Sequence, residues 1–163
     1  MFAVWTDDKV LGALHNRHDV TAICAIPWLP EDIARWTRAM NPADLRTGRS
    51  GPSTTISLAP PVLEALREMT LLTNLETGLS HPTDHDSAVD AFLLLRSAGF
   101  SWNAEDVHVW ALQNGWISRG AEELSEIARK IAKGSTLPHR FSRWSTDAVE
   151  RWMRSGPEDD SDQ

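Results

Sequence analysis

Two short apolar runs near the start of the chain, FAVW at 2–5 and VTAICAI at 20–26, are each followed by turn chemistry and then by apolar positions at helical spacing. The pattern predicts strand, helix, strand, helix. The helix after the first run opens at Thr6 as N-cap, with Asp7 and Asp8 in its first turn and Val10 and Leu14 four residues apart. The second has Pro30 at its first position, Glu31 and Asp32 behind it, and Ile33, Trp36, Thr37 and Met40 on one side. A crossover helix between two strands makes them parallel neighbours. VTAICAI is apolar on both sides and so expects cover on both faces. A third short strand over 54–58 adds pairing, and ADLRTGRSGPS before it reads as a flexible connector.

From Pro60 onward only helical spacings occur. Helix 61–75 carries Val62, Leu66, Met69 and Leu72 on one stripe and ends toward Gly78. Helix 84–98 is apolar nearly all round through AFLLL and ends at Gly99, which makes it the buried centre of this half. A third helix runs from an Asn103 N-cap to Gly115. A fourth, 119–133, sorts sharply, with Ala121, Leu124, Ile127, Ala128 and Ile131 inward and Glu122, Glu123, Glu126, Arg129, Lys130 and Lys133 outward. The last, 146–155, places Val149, Trp152 and Met153 together and Asp147, Glu150, Arg151 and Arg154 opposite. The fold class that follows is α+β, mostly helical: a small N-terminal βαβα unit with its connector over 1–58, a helical bundle over 59–155, and an acidic tail, GPEDDSDQ at 156–163, expected to be disordered because it has nothing apolar to bury.

Composition narrows the class. With 163 residues, 41% of them hydrophobic, the chain is long enough for one real core. No apolar run approaches a membrane span, and MFAVWTDDKV has neither a basic leader nor a long apolar stretch, so the expectation is a soluble, cytoplasmic protein with no membrane contact. A single cysteine, Cys24, excludes an internal disulfide framework and any multi-cysteine zinc site. Acids outnumber bases, 23 to 16, and the net charge of −7 argues against long-range attraction to nucleic acid. The chain is also rich in tryptophan, eight residues without one tyrosine, spread with no repeat.

Four constellations bear on chemistry. GLSHPTDHDSAVDAF packs two histidines and two aspartates into 81–86. Thr83 followed by Asp86 resembles a capping box, with Pro82 before it and Asp84 where the helix dipole favours an anion. His81, Asp84 and His85 are the remaining metal or acid–base candidates, but Asp84, His85 and Asp86 occupy successive helical positions and diverge by about 100° each. Asp7, Asp8, Glu31 and Asp32 lie past the carboxyl ends of the predicted strands, where a divalent ion and phosphate would bind, although first-turn acids also suit a helix start.

EDVHVWALQNGWISRGAEEL has the dimensions of a helix-turn-helix, yet its second helix shows Glu122, Glu123 and Glu126 to a polyanion, with Arg119–Glu123 and Glu126–Lys130 as internal pairs; duplex DNA is not an expected partner. PHRFSRWSTDAVERWMR, 138–154, interleaves bases and aromatics, and Arg140, Arg143 and Trp144 are its candidates for nucleic-acid contact.

Each constellation has a sufficient local explanation, so the leading expectation is a non-enzymatic binding or adaptor protein acting through protein–protein contacts. It forms a homodimer or a hetero-complex with 20–26 at or beside the contact, and takes no cofactor. Two alternatives stay open: a divalent-metal-dependent enzyme or ligand-binding protein using the acidic edge of the N-terminal unit, and a single-stranded nucleic-acid or RNA contact through 138–154.

Overall fold

The computed structural model describes residues 2–4, 11, 14, 17, 19–25, 34–50 and 55–155. Within these, β1 (Phe2–Val4) and β2 (Ile23–Ala25) pair in parallel, with Phe2 opposite Ile23 and Val4 opposite Ala25, as two strands joined by a crossover require. The second strand is shorter than its apolar run. Ile23, Cys24 and Ala25 are half-buried rather than covered on both faces.

The connector holds structure of its own. β3 (Ala43–Asp44) and β4 (Arg49–Ser50) form an antiparallel hairpin. The Asp44 carboxylate closes its turn by accepting the N–H groups of Arg46 at 2.8 Å and Thr47 at 3.3 Å. Conversely, 55–58 is not a strand; it leads into the next helix. The predicted helix after β1 lies outside the described residues except for Leu11 and Leu14, which are helical, Leu11 being fully buried. The expected Pro30 start of the second helix and the acidic tail at 156–163 also lie outside the described residues.

Six helices follow among the described residues: α1 (Ala34–Met40), α2 (Pro60–Leu72), α3 (Pro82–Ser97), α4 (Ala104–Gln113), α5 (Ser118–Ala132) and α6 (Ala148–Arg154), with a 3-10 turn at Gly78–Ser80. Pro60 and Pro61 open α2, where a missing N–H costs nothing. Asn103 caps α4, its side chain accepting the N–H of Glu105 at 2.9 Å. α3 is the centre, packed against α2, α5 and the 3-10 turn, and Ala88, Val89, Ala91, Phe92 and Leu95 are buried on it. All five residues predicted inward on α5 are buried. Two expectations fail at helix ends: Leu72 is exposed at the last residue of α2, and Met153 is exposed because it lies about 100° round the helix from the buried Trp152.

Among the described residues, the N-terminal unit meets the bundle at α4. α1 packs on α4, with Ala39 in the core and Met40 against it, and leaves Thr37 exposed. Asp106, buried on α4, binds the Arg38 guanidinium and accepts the N–H of Ser57 at 3.3 Å. Gln113 donates to the Ala39 carbonyl at 2.8 Å. One continuous hydrophobic core therefore includes Ala39 and Leu58 along with the bundle.

Four tryptophans act as cross-ties, their rings apolar and their N–H groups paired. Trp102 donates to the Ala128 carbonyl, Trp116 to Thr70, Trp144 to the Ser87 carbonyl and Trp152 to Glu68. Each bond joins two different parts of the chain.

Candidate functional site

The 81–86 cluster and the 138–154 segment, the two richest constellations in the sequence, meet in space. α3 starts earlier than a Thr83 cap implies. His81 is the N-cap, its Nδ1 accepting the N–H of Thr83 at 3.3 Å, and Pro82 is the first helical residue. Thr83 is already inside the helix, where its carbonyl accepts from Ser87 Oγ at 2.6 Å. Asp84, Asp86 and Asp90 all meet the segment that crosses α3.

That segment is extended between α5 and α6 and is latched by the three aspartates in turn. Asp86 Oδ2 accepts two successive backbone N–H groups, Arg140 at 2.9 Å and Phe141 at 3.2 Å. Asp90 accepts the Ser142 hydroxyl and lies 3.6 Å from His139 Nε2. Asp84 is 3.7 Å from the Arg143 guanidinium, which also donates to the Leu72 carbonyl at 3.1 Å. The N–H of Arg140, with the His85 ring and the N–H of Phe141, holds the Asp86 carboxyl below the ordinary carboxylate range against the opposing effect of desolvation.

Beyond the latch, Trp144 turns into the core and donates to Ser87 at 2.7 Å, and its ring meets that of Trp152 edge-on at 5.4 Å. Glu68 on α2 then holds α6, accepting from Trp152 at 2.6 Å and from Arg151 at 2.9 Å.

Each predicted site residue can now be placed. His81 caps and is exposed, Asp84 is buried beside Arg143, and His85 lies 3.5 Å from Asp86. Among the described residues no three His, Cys, Asp or Glu side chains converge as a metal site. Of the nucleic-acid candidates, Trp144 is buried and cannot stack a base, Arg143 is engaged by Asp84 and Leu72, and Arg140 is exposed with no ion pair among the described residues. Asp7, Asp8, Glu31 and Asp32 lie outside the described residues. Cys24 is a free, half-buried thiol.

The helix-turn-helix candidate is α4–α5, whose acidic face pairs internally, Arg119 with Glu123 at 3.0 Å and Lys130 with Glu126 at 3.4 Å. His85, Arg119, Glu122, Glu126 and Lys130 border a cleft of about 560 Å³ there.

Asp90, Ser142 and Glu68 were not singled out from the sequence. A signal existed for Asp90: it follows Asp86 at i+4 in a helix otherwise apolar nearly all round, which marks one stripe as facing polar groups.

The model of a family described as Domain of unknown function (DUF1889) matches residues 58–153, the span from the last residues before α2 into the last turn of α6. No curated protein and no solved structure matches the chain.

Proposed function

The chain belongs to the DUF1889 family, and from that premise we propose that it is a non-enzymatic binding protein, cytoplasmic, that acts through protein–protein contacts at the seam between α2 and the latched C-terminal segment. One observation carries the reading: Leu71, Leu72, Phe141 and Met153, four large apolar side chains, are exposed along that seam. Arg143 bonds to the Leu72 carbonyl two residues after Phe141, and Trp152, next to Met153, bonds to Glu68 one turn before Leu72. Leu71 is 85% exposed, and exposed apolar side chains that gather in one place mark interaction surfaces. Arg140 and Arg154 stand exposed nearby. The chemistry suits a partner that presents apolar side chains flanked by carboxylates.

The candidate acids Asp84 and Asp86 support the same reading, since they hold this segment in place. The experiment is affinity capture from the native source with the whole chain as bait, beside the Leu71→Glu/Met153→Glu variant, with light scattering on both. A partner, or a second copy, held by the natural sequence and lost from the variant supports the proposal. Equal retention by the variant, or a monodisperse monomer that captures nothing, counts against it.

A further inference from the structure

A second surface, lined by none of the seam residues, has the form of a ligand site. Between β2, α1 and the β3–β4 hairpin lies a cleft of about 540 Å³, within the roughly 300–1,000 Å³ typical of small-molecule pockets. Its inner wall is apolar, formed by Ile23, Ala25, Trp36 and Pro42, with Trp36 buried. Its outer wall is the hairpin, which carries Arg46 and Arg49, both exposed.

Among the described residues the charge on that wall is unbalanced. Asp44 is the acid that lines the cleft there, and its carboxylate is occupied by the backbone N–H groups of Arg46 and Thr47, which hold it below the ordinary carboxylate range. Arg46 keeps one long contact to it at 3.5 Å, and the Arg49 guanidinium has no partner among the described residues. Two guanidinium groups on a turn fixed by its own hydrogen bonds, over an apolar wall with an indole, match a molecule with two parts. We infer that this cleft binds a small molecule with a flat apolar body and one anionic group, a carboxylate, sulfonate or phosphate, the body against Trp36 and Ile23 and the anion between Arg46 and Arg49.

The test uses the whole chain and anilinonaphthalene sulfonate, a probe with a flat apolar body and a single negative charge, followed by its fluorescence and by calorimetry. The natural sequence binds one probe per chain, saturably. Arg46→Ala with Arg49→Ala removes only exposed groups and weakens binding by about tenfold or more; Ala43→Trp, at an exposed hairpin position, fills the cleft and abolishes it. The uncharged N-phenylnaphthylamine binds the natural sequence about tenfold more weakly or worse. Leu71→Glu, on the other surface, leaves binding unchanged, which separates this inference from the protein–protein proposal. Absence of saturable one-to-one binding, or binding that survives both the arginine and the Ala43 variants, overturns the inference.

Discussion

Asp86 and Arg140, 54 positions apart, are joined by a 2.9 Å hydrogen bond from the backbone N–H of Arg140 to the Asp86 carboxylate. The bond recruits no Arg140 charge; it fixes the path of the chain. With the N–H of Phe141 on the same oxygen, it makes a carboxylate near the start of α3 the seat on which an otherwise irregular segment rests.

Because these bonds depress the Asp86 carboxyl, they link the latch to pH. The folded form holds its proton less tightly than the unfolded form, so the contribution is complete above the ordinary aspartate value of about 3.9 and is lost as pH falls through the lower folded value. Melting the natural protein and Asp86→Asn side by side from pH 7 to pH 3 should show a gap in Tm that is constant at the upper end and closes below about pH 4. Asp44, Glu126 and Asp147 are depressed too, but they act equally in both proteins.

The cap assignment reverses an order of mutational effects. Since His81 and not Thr83 accepts the capping N–H, His81→Ala should destabilise α3 by about 0.5–1 kcal/mol, while Thr83→Ala, inside the helix, should change stability by less than about 0.5 kcal/mol. Urea denaturation of the two variants decides; a larger loss for Thr83→Ala would restore the capping box.

In the turn that leads into α3, Gly78 touches α5 backbone to backbone. A Cβ built on Gly78 would sit 2.9 Å from the Gly120 Cα, and Gly78 has φ +59°, so Gly78→Ala meets both a clash and left-handed strain. Gly120→Ala meets a contact of 3.1 Å without that strain. Both should lower stability, Gly78→Ala by about 2–4 kcal/mol and more than Gly120→Ala, as read from denaturation midpoints.

Glu68 is the clasp of α6. Glu68→Ala leaves the buried Trp152 N–H without its acceptor and leaves Arg151 only Ser145 and Asp147, and should cost about 1–3 kcal/mol. Glu68→Gln keeps an oxygen for Trp152 and should recover part of it. Equal losses for Ala and Gln would place the effect in the charge alone.

The helices could be read from the sequence because their causes are local. Ile127 and Ile131 repeat at helical spacing, Asn103 caps its own helix, and Arg119–Glu123 and Asp147–Arg151 pair one turn apart. The hairpin at 43–50 was hidden by a glycine-containing stretch that reads equally as a linker, although Asp44 ahead of Arg46 and Thr47 is the turn-forming element. Beyond the Asp86–Asp90 spacing the latch left no local trace: Asp86 with Arg140, Asp90 with Ser142 and Glu68 with Trp152 are contacts made by the packing of distant elements. Arg143 reads as a nucleic-acid candidate for the same reason, its acceptors, Leu72 and Asp84, being distant in sequence.

The measurement closest to the central claim is amide hydrogen exchange at Arg140 and Phe141, followed by NMR in the natural protein and in Asp86→Asn. If the acids at the start of α3 serve to seat the C-terminal segment, both amides are protected in the natural protein, and Asp86→Asn lowers their protection by about tenfold or more while α4 and α5 keep theirs. Rapid exchange of both amides in the natural protein, or protection that Asp86→Asn leaves intact, would contradict the account.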